Sequence, residues 1–225
     1  FFLKVDYFCP QEEQVYKHVW ICNPTYLNKK KNCIVYSSGL SRNTNQALLQ
    51  ALPSCDIHVF DPSTNITGTR SNWTQQVPPQ FQQQQQQQQQ QIQQHQFSTH
   101  QHQHHWGFAE STHATEEGRL FRSISDTMQL LGHDSIDVFV LQCGGCEWNL
   151  RYFEDDPAIS QFSIQFHNLR DSTLLLERFP AHQYVLFHKD VMAAVEHKYD
   201  DSGALRDSRR IHALSYLKLH KGFFP

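Results

Sequence analysis

The residues best placed for chemistry sit at the ends of apolar runs. Gly39 follows the run Cys33-Ile34-Val35-Tyr36-Ser37 and precedes an amphipathic stretch, which puts it at a strand-to-helix turn. A glycine there has no Cβ to hold a ligand off the backbone, and the helix start behind it suits a polar or anionic group. Asp61 closes the next apolar run, Cys55-Asp56-Ile57-His58-Val59-Phe60, about twenty residues later. A carboxylate in that place accepts hydrogen bonds from ribose hydroxyls. Plainer readings stand beside these: a tight turn accounts for Gly39, and a strand-ending turn accounts for Asp61-Pro62.

Cys143 and Cys146 form a Cys-x-x-Cys. In redox proteins that motif opens a helix; here it closes a late apolar run, so packed or paired structural cysteines are expected. Alone it cannot complete a tetrahedral zinc site. His95, His100, His102, His104 and His105 follow a glutamine homopolymer. A flexible tract fixes no ligand geometry, so adventitious Zn²⁺ or Ni²⁺ binding is expected there rather than a dedicated metal centre.

These residues are positioned by alternating elements. A strand at 33–37, a helix at 41–52 capped by Ser41 and a strand at 55–60 make one βαβ unit. Regular order is expected to fail from Ser63 to His105, with 75–105 a disordered Gln/His-rich insertion that cannot bury enough apolar surface to order itself. A short strand at 106–109 and a helix at 123–131 stopped by Gly132 come next. The run 136–141 is almost wholly apolar, as a strand buried on both faces should be. Strands at 162–167 and 184–188 flank a helix at 172–179, and 213–219 reads as a last strand. Before all this lies a lead-in, 1–32, with a helix-like stretch at 11–20. The alternation predicts an α/β fold, a doubly wound and mostly parallel sheet over 33–225.

Composition narrows the partners. A chain of 225 residues suits one domain, and a net charge of −3 offers no broad pull toward nucleic acid or anionic membrane. Lys29-Lys30-Lys31 is a short run that reads as a solvated strand entry. No apolar window is long enough for a transmembrane helix. The chain starts at Phe1, which suggests a fragment or processed product. Six cysteines permit disulfides, and Cys33 and Cys55, at the starts of neighbouring strands, are a candidate pair. With the sequons Asn65-Ile66-Thr67 and Asn72-Trp73-Thr74, the even count favours a secretory lumen or the extracellular space; the cytoplasm is the alternative.

Several segments in order carry a family resemblance. Val35-Tyr36-Ser37-Ser38-Gly39-Leu40 and Cys55-Asp56-Ile57-His58-Val59-Phe60-Asp61-Pro62 resemble the first two motifs of the FkbM-like and methyltransferase-like S-adenosylmethionine-dependent methyltransferases. Leu131-Gly132-His133, the apolar strand and Gly145-Cys146-Glu147-Trp148 resemble that family's fourth-strand signature, and Ser163-Ile164-Gln165-Phe166-His167 resembles its fifth strand. The resemblance implies a Rossmann-like class I fold and S-adenosylmethionine as cofactor. It places Ser37, Ser38 and Gly39 along the methionine portion, Asp61 on the ribose and Gln142 near the transferable methyl group. Glu147 and His167 are the candidate bases, each with a structural alternative: a helix-start acid and a strand-end histidine. The chain departs from the family pattern where Val140 and Gln142 replace a lysine and an acid, and where Gly144 replaces a glutamate. Asn45-Gln46 and Gln165 depart in the same way. The implied activity is methylation of a small-molecule or sugar hydroxyl; the departures support the alternative of a catalytically degenerate fold with a binding role. A third reading makes the Gln/His tract a self-association segment.

Overall fold

The computed structural model describes residues 4–39, 42–62, 100–115, 118–142, 158–166, 173–199 and 205–219. The chain opens with an antiparallel hairpin, β1 Glu12–Tyr16 and β2 Val19–Cys22, where the sequence suggested a helix. Lys17 at the turn adopts φ 42°. Val19 and Ile21 are buried on one side while Trp20 is only partly so, the period of two that a strand requires. Apolar spacing across a two-residue turn mimics a helical repeat, which explains the misreading. A short helix α1, Pro24–Leu27, follows, with the Asn23 side chain accepting from the Tyr26 amide.

The core elements come next: β3 Ile34–Ser38, α2 Arg42–Ala51, β4 Asp56–Phe60 and β5 Gln101–His104. A small sheet holds β6 Trp106–Phe108, β7 His113–Ala114 and β8 Leu120–Arg122. Then come α3 Ile124–Leu131, β9 Ile136–Leu141, β10 Ile159–Phe166, α4 Thr173–Ala181, β11 Tyr184–Tyr199 and β12 Leu205–Lys218. Ser123 caps α3 by accepting from the Asp126 amide, and Gly132 ends it at φ 71°, the stop expected of that glycine.

The main sheet has seven strands in the order β11-β12-β10-β9-β3-β4-β5. From β5 to β10 all neighbours run parallel, and β12 is antiparallel to both β10 and β11. Numbered by appearance, the parallel strands lie 3-2-1-4-5, the doubly wound order. This is the Rossmann-like class I fold expected.

Three strands of the main sheet depart from expectation. Within the stretch 75–105, expected to be disordered, residues 101–104 form β5, which adds to the edge of β4 through Ile57 N–H to His100 C=O at 2.7 Å and Asp61 N–H to His104 C=O at 3.0 Å; 75–99 lie outside the described residues. An edge strand needs backbone pairing more than apolar side chains, so Gln and His serve. The last two strands run well beyond the expected 184–188 and 213–219 as a long ribbon.

Strand alternation sorts the core into two sides. On one, Val35, Ile57, Val59, Val138 and Val140 pack with Leu48 of α2, Leu52 just after it, Leu27 of α1 and the hairpin residues Val19 and Ile21. On the other, Tyr36, Phe60, Phe139, Phe162 and Phe166 pack with Phe108, Phe179 and the partly buried Ile124 and Met128 of α3. The hairpin is tied to β10 by the Gln161 carboxamide, which accepts from Cys22 N–H and donates to Cys22 C=O. Disulfides join Cys9 to Cys22 and Cys33 to Cys55, the latter with Cα atoms 4.5 Å apart. No helix among the described residues is long and apolar enough to cross a membrane.

Candidate functional site

In a doubly wound sheet the crevice opens beyond the carboxyl ends of the two strands where the winding direction reverses. Here those strands are β3 and β9. Ser38 and Leu141, their last residues, are register partners, and the next backbone N–H, that of Gln142, donates to Ser38 C=O at 3.0 Å. On the other flank Ser38 pairs with Phe60. Gln142, Gly39 and Asp61 therefore leave the sheet side by side, at the same end of three adjacent strands.

Each of these residues is held by local physics. Gly39 adopts φ 74°, the left-handed region that glycine enters without steric cost, and it is exposed. Ser37 is fully buried, and its hydroxyl donates to Asn45 Oδ1 at 2.8 Å. That bond fixes the first turn of α2 against β3, so Ser37 shapes the turn from beneath. Ser38 is buried at the strand end. Asp61 is half-buried, its amide bonded to His104 C=O of β5. The structure thus brings Ser37, Ser38, Gly39, Asp61 and Gln142 to one end of the sheet. Glu147 and His167, the candidate bases, lie outside the described residues, as do Ser41, Cys143, Cys146, Gly144 and both sequons.

Polar residues outside the crevice form two further groups. Asp137 of β9 is buried; it accepts from Ile34 N–H at 3.0 Å and pairs with Lys30. It stands near the amino ends of the strands, away from the crevice, and closes the sheet's lower end. A second group lies on the aromatic side. His58 Nδ1 is 2.9 Å from His104 Nε2. Ring centroids of His102 and His133 lie 4.7 and 4.6 Å from that of His58, and His133 Nδ1 is hydrogen-bonded to the Tyr36 hydroxyl at 2.8 Å. Burial, reinforced by the neighbouring imidazoles, lowers His58 to about 3 and His104 to about 4. Burial also lowers His133 and raises Tyr36. The signal for this group was a histidine inside an apolar strand and histidines at alternate positions of β5. Among the described residues no His, Cys, Asp or Glu group is arranged to hold a metal ion.

Comparison with known proteins places the chain in a family. Residues 2–203 match the family model described as a methyltransferase domain. No curated protein matches the chain. Among solved structures, a precorrin-6Y C5,15-methyltransferase from Geobacter metallireducens aligns over 87% of this chain and 85% of its own, at 9% identity and a TM-score of 0.41. Methyltransferase FkbM from Methylobacillus flagellatus aligns over 86% of this chain and 50% of its own, at 12% identity and 0.40. An S-adenosylmethionine-dependent O-methyltransferase from Thermotoga maritima aligns over 88% and 63%, at 10% identity and 0.39. The family model spans most of the chain: this protein belongs to the methyltransferase domain family, and S-adenosylmethionine is the cofactor that membership implies.

Proposed function

We propose that the chain transfers a methyl group from S-adenosylmethionine to a hydroxyl of a small molecule or sugar. One observation carries the placement: the Gln142 to Ser38 backbone bond, which aligns the ends of β9, β3 and β4. The described half of the crevice fits the cofactor. It offers an open left-handed glycine turn, a carboxylate for a ribose diol, and otherwise uncharged polar groups. When bound, the cofactor supplies a sulfonium-borne methyl group open to in-line displacement, so orientation accounts for much of the rate.

The residues divide the work. Asp61 accepts from the ribose hydroxyls, while Ser38 and Gly39 line the methionine portion. Ser37 positions the turn through Asn45 and touches no ligand. Gln142 faces the reacting end, where its carboxamide orients the acceptor without adding charge. Glu147 and His167 are assigned the acceptor proton, since an oxygen nucleophile needs a base. The acceptor class, a small molecule or carbohydrate rather than nucleic acid, rests on the net charge of −3. Two disulfides support a secretory lumen or the extracellular space. Residues 33–225 form the working domain in this reading, with 1–32 as its lead-in and 75–105 as an insertion.

The test is transfer of labelled methyl from the cofactor to a panel of monosaccharides and small alcohols. Labelled methyl ethers are expected, with Glu147→Gln or His167→Gln lowering kcat by about 10²–10⁴-fold while cofactor affinity holds. Cofactor binding without transfer to any acceptor would favour the degenerate binding protein instead.

A further inference from the structure

We propose that the imidazole cluster on the aromatic side of the sheet is an acid-sensitive latch, docking edge strand β5 onto β4 at neutral pH and releasing it in acid. Among the described residues β5 pairs with β4 alone in the main sheet, over Gln101–His104. On the face that holds Tyr36 and Phe60, its attachment is made by histidine. His58 is the register partner of His102 and is hydrogen-bonded to His104. The three rings lie together: the centroids of His58 and His102 are 4.7 Å apart, and those of His58 and His104 are 5.2 Å apart with planes 3° apart. A hydrogen bond between two imidazole nitrogens needs one donor and one acceptor, so it cannot survive protonation of both rings.

The surroundings offer little to neutralise a charge there. Facing His58 are Tyr36 from β3, His102 and His104 from β5, and His133 from the turn after α3. On its own strand Asp56 is the nearest acid, and His100 already occupies it at 2.9 Å. Beyond His104 lie His105, and Trp106 with the Arg122 guanidinium 5.3 Å from its ring. Added protons therefore meet mostly imidazole, phenol and guanidinium. In the docked state buried His58 and half-buried His104 titrate near 3 and 4, below the 6.5 of a solvated imidazole toward which release moves them. The released strand binds more protons below about pH 6.5, so docking is at full strength above that value and weakens as pH falls. Two such groups reduce the docking constant by up to about a hundredfold per pH unit between about 6.5 and 4.

Release has a consequence at the crevice. β5 holds Asp61 through the His104 carbonyl, so its departure frees the carboxylate assigned to the ribose. That last step rests on the cofactor site proposed above; the strand release does not.

Hydrogen exchange of the full chain without ligand, followed by mass spectrometry from pH 7.5 to 4.5 and corrected for intrinsic rates, tests the latch. The expected result is progressive loss of protection in 55–61 and 100–106 below pH 6.5, with β3, β9 and β10 still protected. His104→Gln, which continues the Gln/His alternation with a neutral side chain, should flatten that dependence by about tenfold per pH unit. Equal protection of 100–106 at pH 7.5 and 5 would overturn the proposal. So would simultaneous loss of protection across every strand, or a His104→Gln profile superimposable on the parent's. S-adenosylhomocysteine affinity measured at both pH values should fall with β5 protection. A chain that binds none at pH 7.5 contradicts the cofactor site and leaves the exchange result to decide the latch.

Discussion

On one side of the central sheet Val35, Ile57, Val59, Val138 and Val140 lie beneath α2 and the hairpin, and the Cys33–Cys55 bond links the amino ends of β3 and β4. On the other side Tyr36, Phe60, Phe108, Phe139 and Phe162 interlock, with His58, His104 and His133 at their margin. Branched aliphatic side chains fill one side in few rotamers, and a covalent link restrains its unfolded state. The aromatic side has large rings whose edges and faces must match, and it ends in groups whose charge depends on pH. The contrast teaches where this molecule can respond. Its aliphatic side carries a covalent restraint, whereas its aromatic side reaches the edge strand through titratable groups.

Substitutions can break this comparison or sharpen it. Phe139 touches Tyr36, Phe108 and Phe162, so Phe139→Ala should cost about 3–5 kcal/mol in urea unfolding. A loss below about 2 kcal/mol would show that the rings pack loosely and that the aromatic side does not hold the sheet. Removing the Cys33–Cys55 bond by a double serine substitution opens a loop with a sequence separation of 22. The expected cost is about 3 kcal/mol, carried mainly by the unfolded chain. A matching loss of cofactor binding in that variant would contradict its assignment as a restraint remote from the crevice. The smallest effect is at α3, where Ser123→Ala removes the hydrogen bond to the Asp126 amide. It should cost about 1 kcal/mol and leave β5 protection unchanged. Altered protection would mean that α3 and the histidine margin act as one unit.

The sequence displayed the elements whose signals are local. Ile136–Leu141 reads as a strand buried on both faces because every residue in it is apolar except Asp137, and the structure places it at the centre of the sheet. Ser123 and Gly132 bound α3 through cap chemistry that needs no tertiary information. The elements it concealed depend on distant partners. β5 has no apolar pattern and exists as a strand through the free edge of β4. Beyond residue 191, β11 is held as a strand by pairing with β12. In the crevice, Gly39 and Asp61 were visible as strand-end residues, but the Ser38 to Gln142 bond joins segments far apart in the chain. His102 and His104 were visible as part of a histidine tract, but their grouping with His58 and His133 was not, since its members come from β4, β5 and the turn after α3.

The most direct test of the account is calorimetric titration of the full chain at pH 7.5 with S-adenosylhomocysteine, comparing the parent with Asp61→Ala. A crevice at the ends of β3, β4 and β9 predicts saturable binding by the parent and about tenfold or greater weakening in the variant, the usual loss for hydrogen bonds to a charged group. No heat at millimolar ligand, or equal affinity in the two proteins, would contradict it.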